Sequence, residues 1–453
     1  MDFTMIETGW VSLIPPVLAI VLALVTKEVY SSLFIGLFSG MLIYAATAGG
    51  SLVSAVSMTF DMMCAKIADN AYMIIFLALL WAVVRLVAMS GGSEAYGRWM
   101  GKHLKNKRAA SLATSFLGIL IFIDDGFNCL TVGTVMRPIT DRLRISREKL
   151  AYIIDATAAP VCIIAPVSSW AVAVASEVSE TGGYHIFLST IPYNLYAILT
   201  IVMVFLISIT GKDFGPMKKA EERAMVNPIL AEENGDANQS KGTVFDLVVP
   251  IVVLIICAIL GMAYVGSFFS GTPFSEAIGY NPTAGLSLGA FAGLIVAALL
   301  YIPRRLMNAK EFIGNIVGGI GSIVPPMLIL ILSWSLGGVC RQLIGTGIFI
   351  SGFVNSTSLP LSLLPMLIFI IAAMMSFSMG TSWGTFGMLI PIITMICSAE
   401  NTAMYLIPAL GATLAGSVYG DHCSPISDTT ILSSTGAECQ HIRHVETQLP
   451  QFL

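Results

Sequence analysis

Apolar runs of roughly 15 to 25 residues recur from Val11 to Ser434, and a helix crossing a bilayer needs about 20. The pattern predicts spanning helices at about 11–25, 29–48, 71–90, 150–175, 187–209, 245–265, 283–302, 323–342 and 403–433. Two further apolar stretches, 109–140 and 360–397, are roughly 30 to 38 residues long, too long for one simple crossing. Each is interrupted by polar or glycine-rich sequence, FIDDGFN at 122–128 and FSMGTSWG at 377–384.

Charge decides whether these stretches cross or turn back, because loops rich in lysine and arginine stay in the cytoplasm. Arg98, Lys102, Lys105, Lys107 and Arg108 precede the first stretch, and Arg142, Arg144, Arg147 and Lys149 follow it. Both ends are therefore predicted inside, and 109–140 is a re-entrant hairpin with its tip near Asp124 to Asn128. From Ala109 to Asp124 is about 22 Å of helix, which reaches around the midplane. The same rule places 176–186, with Glu177 and Glu180, outside, and it places 211–244, with Lys212, Lys218, Lys219, Arg223 and Lys241, inside. Residues 266–282 are outside, and Arg304, Arg305 and Lys310 return the chain to the cytoplasm. The stretch 360–397 starts after 343–359 and ends near Glu400, with neither side basic, and is a hairpin entering from outside. The sum is nine crossings and two opposed hairpins, with the N-terminus outside and the C-terminus cytoplasmic.

Composition fits this picture and narrows it. The 453 residues are 56% hydrophobic and 11% charged, with a mean hydropathy of +0.84, so the expected fold is an all-α polytopic membrane protein. Asp2 and Glu7, with no basic residue, precede the first apolar run, which argues against a signal peptide. No basic tract suggests nucleic acid. The eight cysteines are scattered singly with no C-x-x-C pair, as expected of small core residues in a reduced setting.

Five predicted crossings precede the central loop, so the second half starts on the opposite side, which is the condition for an inverted repeat. A shift of 253 aligns Gly36 with Gly289, Gly40 with Gly293, Trp81 with Trp334 and Pro138 with Pro391. A further six-residue insertion lays PVSSW at 166–170 on PISDT at 425–429. The expected organisation is a first membrane repeat at 1–210, a flexible cytoplasmic linker at 211–244, a second, inverted repeat at 245–436 and a cytoplasmic tail at 437–453. Each repeat holds a hairpin and a proline-broken helix, and broken backbone at membrane depth is tolerated only against protein or a water-filled cavity.

The intramembrane carboxylates are Asp124, Asp125, Asp155, Asp421 and Asp428. Each costs about 2.5 to 3.5 kcal/mol at a helix centre, so five unpaired at the centre would cost on the order of 15 kcal/mol. Around them lie oxygen-bearing neutral side chains: Asn128, Thr131, Ser168, Ser169, Thr381, Ser382, Thr385, Ser424, Ser427, Thr429 and Thr430. Hard oxygen ligands suit a hard cation, and buried carboxylates bind protons more readily than exposed ones. One set of groups can then hold Na+ or H+, with Asp124, Asn128, Ser427 and Asp428 the expected Na+ ligands and no other cofactor.

Blander readings stand beside these. Asp124, Asp125 and Asp428 could cap helices at the breaks, and Asp155, six residues past Lys149, could pair with a loop arginine. His422 serves either as a proton relay lining the site or as a structural hydrogen-bonding group. His422 and Cys423 beside Asp421 do not converge on one zinc ion and have no spaced partner pair. Trp383 either lines a substrate cavity or fills space. His441 and His444, in the tail HIRHVETQLPQF, read as a solvated amphipathic turn.

GDHCSPISDTT at 420–430, FIDDGFN and the HIRHVETQLP tail together resemble the NhaC-type sodium/proton antiporter family of the ion-transporter superfamily. The resemblance implies an inner-membrane Na+-linked antiporter with two hairpins, a homodimer surrounded by lipid that moves its cargo by an elevator-like displacement. Carried over residue by residue, it points to Asp124, Asp125 and Asn128, and to Asp421, Ser424, Ser427, Asp428 and Thr429. Relatives of that family also exchange organic substrates, and the His-Cys pair after Asp421 resembles one subgroup. The expected function is Na+/H+ antiport at a midplane site; the alternative is Na+- or H+-coupled transport of a small organic acid or amino acid. An intramembrane aspartyl protease, suggested by YGD at 419–421, would need two facing aspartates but has no use for paired hairpins.

Overall fold

The computed structural model describes residues 4–26, 28–178, 182–226, 241–349, 352, 361–398 and 402–452, so Glu180, Glu400, 227–240 of the linker and 353–360 before the second hairpin lie outside the described residues. Every regular element among the described residues is helical. In chain order they are α1 (Ile14–Thr26), α2 (Val29–Thr47), α3 (Leu52–Asp69), α4 (Ala71–Met89), α5 (Gly92–His103), α6 (Lys107–Leu120), α7 (Asp125–Arg142), α8 (Arg147–Cys162), α9 (Ser169–Val178), α10 (Gly183–Thr190) and α11 (Leu195–Thr210). There follow α12 (Gly215–Val226), α13 (Val244–Val265), α14 (Phe274–Tyr280), α15 (Pro282–Tyr301), α16 (Ala309–Gly338), α17 (Leu364–Met379), α18 (Ser382–Ile396), α19 (Leu406–Cys423), α20 (Asp428–Gly436) and α21 (His441–Phe452). Among the described residues, eight helical segments are long and apolar enough to cross a membrane, and Gly9–Ala23, Ser169–Val178 and Ser382–Ile396 are shorter apolar helices. This is a multi-pass membrane protein.

The chain forms two compact units and passes between them four times before its last crossover at 421/422. The first unit comprises 1–74, 173–195 and 324–421. In it α1 packs on α2, and α17 packs on α18 as a helix–break–helix element. Gly36 makes the α1–α2 approach possible, since a Cβ there would stand 2.8 Å from the Ala19 Cβ. The second hairpin breaks at Gly380, which has a φ of +67°, and Thr381 then caps α18 by accepting the Gly384 amide.

The second unit comprises 75–172, 196–323 and 422–453. Here α13 and α15 pack along their length, with Gly289 against Ala258, where a Cβ would meet backbone at 2.5 Å. Small residues let helices approach closely where lipid gives no hydrophobic drive to associate. Gly36 and Gly289 do the same thing in their own units. The first hairpin, α6–α7, packs with α8 and α20, and α21 covers α8. At the crossing of α7 and α20, Gly133 lies so near Gly436 that a Cβ would stand 2.5 Å from its carbonyl carbon.

Several sequence expectations need correction. The pattern of apolar runs assigns residues 52–69 and 92–103 no element, yet they form α3 and α5. Ser51 and Ser54 cap α3 reciprocally, and its buried face includes Lys66, so it is an amphipathic helix whose charges hid it from a search for apolar runs. The linker is not wholly flexible: α12 is a helix against α21 and α8. Its charges do more than stay solvated, for Glu221 accepts the Ser146 amide at 2.6 Å and the Lys107 ammonium at 3.2 Å, while Asp213 pairs with Lys149 at 2.8 Å. Glu177 is fully buried within α9 rather than exposed in an outer loop. The tail from His441 is a docked helix.

Candidate functional site

The site is built from three helix breaks in the second unit. The first hairpin interrupts its helix between Leu120 and Asp125, and Asp124 closes the gap as N-cap of α7, its Oδ1 accepting the Phe127 amide at 2.9 Å. Asp125 occupies the first turn, where an acid complements the positive end of the helix. The second break, between α8 and α9, is capped by Ser168, whose Oγ accepts the Ala171 amide at 3.0 Å and donates to the Cys162 carbonyl at 2.8 Å. The two breaks are tied together: the Ser169 amide donates to the Ile123 carbonyl at 2.9 Å, and Ser169 Oγ donates to Asp124 Oδ2 at 3.3 Å. The third break lies between α19 and α20, where Ser427 caps by accepting the Thr430 amide at 3.2 Å. Asp428 follows it, taking the Thr429 amide at 2.9 Å. Ser168 and Ser427, superposed by the extended repeat alignment, are thus both caps.

Asn128 sits one turn into α7 and repairs the end of α6. Its Nδ2 faces the carbonyl oxygens of Gly118, Ile121 and Thr157 at 2.6, 3.0 and 3.2 Å, groups that the helix ends and crowded neighbours leave available. The other end of the amide, Oδ1, is buried without a hydrogen-bond partner among the described residues. That leaves one neutral acceptor poised for a ligand.

Asp155 lies midway along α8 and is fully buried. Among the described residues no loop arginine pairs with it. Thr430 Oγ1 and Ser433 Oγ donate from α20 at 3.4 and 3.3 Å, and two imidazoles face it, His444 Nε2 at 3.4 Å and His422 Nε2 at 3.8 Å. His422 is also held by Tyr196, whose hydroxyl is 2.9 Å from Nδ1. His444, read in the sequence as solvated, is completely buried. His441 bridges the third break instead, contacting the Pro425 carbonyl at 2.6 Å and Ser434 Oγ at 3.1 Å.

Twelve of the expected residues therefore fall in one unit: Asp124, Asp125, Asn128, Thr131, Asp155, Ser168, Ser169, His422, Ser424, Ser427, Asp428 and Thr429. Asp428 and Asp155 are both within electrostatic reach of Asp125, which in turn faces Asp124. Among the described residues none of these four acids pairs with a lysine or arginine. Asp428 is the one whose side chain is exposed. Thr381, Ser382, Trp383, Thr385 and Asp421 belong to the other unit. There Ser382 Oγ donates to the Ser417 carbonyl at 3.2 Å, Thr385 bonds back to the Thr381 carbonyl at 2.9 Å, and Trp383 packs beside Phe386. The sequence reading missed Ser433, His444 and Gln448. The last of these donates to the His422 carbonyl at 2.8 Å.

Broken apolar helices presenting clustered acids with no lysine or arginine partner among the described residues are an arrangement that membrane transporters use. The chain belongs to the Na+/H+ antiporter family, which it matches over residues 170–453. It is 38% identical to an uncharacterized protein of Haemophilus influenzae, over 97% of this chain and 87% of that one. A malate-2H+/Na+-lactate antiporter of Bacillus subtilis is 34% identical over 170 residues, 36% of this chain and 34% of that protein. The fold is shared with the YdaH transporter of Alcanivorax borkumensis, with a TM-score of 0.60 at 13% identity over 89% of this chain and 87% of that one.

Proposed function

We propose that the chain exchanges cytoplasmic Na+ for external H+ by alternating access. The cation is held by Asp124, Asn128, Ser427 and Asp428, near the middle of the bilayer. What carries this reading is the meeting of carboxylates from helix breaks in both halves of the sequence, with no lysine or arginine partner among the described residues. Any charge that enters must be supplied by a cation, because unpaired carboxylates in a low-dielectric interior otherwise take up protons. Na+ and H+ then compete for the same groups, and competition combined with alternating exposure couples their fluxes.

The architecture proposed around the site is a pair of inverted repeats, 1–210 and 245–436, with nine crossings and two re-entrant hairpins, moving in a homodimer by an elevator-like displacement. In support, the crossovers at 74/75 and 172/173 recur with the same separation at 323/324 and 421/422. The protein is placed in the inner membrane with an outer N-terminus and a cytoplasmic C-terminus, on the distribution of basic loops. A coupled exchange of small organic acids is the second reading, favoured by the malate-2H+/Na+-lactate antiporter among the relatives.

Everted vesicles separate the two. Na+ added alone should collapse a preformed pH gradient, and Asp428→Asn should abolish that response at normal expression. A gradient that holds until malate, lactate or an amino acid is supplied would replace the first reading with the second. Full Na+ response in Asp428→Asn would remove Asp428 from the site.

A further inference from the structure

The C-terminal helix does more than cover α8. We infer that His444 of α21 shares a proton with Asp155 and His422, forming a proton-binding site separate from the cation ligands and completed by the last helix of the chain. This rests on the transporter reading for its use, but not for its existence.

Three observations carry it. Asp155, His422 and His444 are all fully buried, and both Nε2 atoms face the one carboxylate. Neither imidazole has completed its hydrogen bonding: His422 Nε2 and both ring nitrogens of His444 are without a hydrogen-bond partner among the described residues. Among the described residues the carboxylate has hydroxyl donors and the Gln448 side chain around it but no lysine or arginine. With the acid ionised and both rings neutral, the cluster carries one buried negative charge. One added proton neutralises it wherever it resides. Such a set titrates as a unit rather than residue by residue.

The surroundings make the proton sensitive to the cation. The ionisable groups in electrostatic reach are Asp125 and Cys129 of α7, Asp428 of α20 and Tyr196 of α11, with Tyr152 one turn back on α8 and Cys423 beside His422. From α6 and α12, also packed on α8, come Lys107 and Glu221, which pair with each other near Ser146. Negative charge at Asp125 and Asp428 favours the proton on the cluster, and a cation that neutralises those acids favours its release. The cluster would thus give up its proton as the neighbouring site fills.

The test reads protonation without transport. Infrared difference spectra of the purified full-length protein, with aspartate labelled at the side-chain carboxyl, are recorded between about pH 5.5 and pH 8.5, either side of the ordinary imidazole range. Wild type should show an aspartate or imidazole step that is lost in His444→Gln and lost again in Asp155→Asn, each variant being checked for an unchanged gel-filtration profile. The two variants stand in for each other if one does not fold. The same step persisting in either folded variant overturns the inference, including the case in which His444→Gln lowers only the unfolding temperature and proves to be a latch. Absence of Na+-driven proton movement in vesicles would sink the functional reading and leave this result standing.

Discussion

Asp124 has two roles that substitution can separate. As N-cap of α7 it accepts the Phe127 amide, and asparagine caps about as well as aspartate. Asp124→Asn should therefore keep the unfolding temperature while ending ion-driven exchange in vesicles. Asp124→Ala should lose exchange and also about 1 kcal/mol of stability, the usual worth of a cap. Equal exchange in the asparagine variant and wild type would reduce Asp124 to a cap. The acids themselves were legible because charge in an apolar run is costly and therefore conspicuous. His444 was not. Along α21 the polar stripe His444, Thr447, Gln448 and Gln451 is the buried face, while Ile442 is 54% exposed. A binary reading of that pattern, which assigns polar residues to solvent, inverts the helix. The distinction needs the position of Asp155, which no local window contains.

Helices are limited here by how closely they can approach. At the α7–α20 contact Gly133 and Gly436 bring the two backbones together, and this contact sets Asn128 and Asp428 on facing elements. Gly133→Val should force the helices apart at a cost of about 1 to 3 kcal/mol, seen as a lower unfolding temperature with loss of exchange. Gly314→Val, inside α16 where a Cβ would meet nothing, should leave both unchanged apart from a small gain in helix propensity and serves as the comparison. Breaks were the easiest elements to foresee, since PVSSW, PISDT and FIDDGFN combine proline or glycine with capping residues inside apolar runs. The amphipathic α3 and α12 were the hardest. Their polar and charged residues keep them from registering as spans, although MKKAEERAM in α12 consists of strong helix formers that also pack on α8 and α21.

Across the whole molecule, each unit draws on both halves of the sequence, a weaving that hydropathy cannot reveal because it records depth and not neighbours. The second unit depends on its terminal segment: α21 donates through Gln448 to the His422 carbonyl, stacks Phe452 on the His422 ring at a centroid distance of 4.8 Å, and bonds through Gln451 Nε2 to the Phe214 carbonyl. Deleting residues 441–453 should lower the unfolding temperature by several degrees, on the order of 2 to 4 °C for each kcal/mol in a unit of this size. Retention of the full-length melting curve would show that the helix docks without stabilising the rest.

The late arrival of that segment has a consequence for biogenesis. A ribosome adds roughly 5 to 20 residues per second, so Asp124, Asp125 and Asp155 enter the bilayer long before residues 422–453 have been made. Until then Asp155 lacks the Thr430 and Ser433 hydroxyls and the two imidazoles that face it in the folded protein, and a chain stopped short of them would leave that acid uncompensated. Membrane quality control should therefore recognise a nearly complete chain as readily as a short fragment.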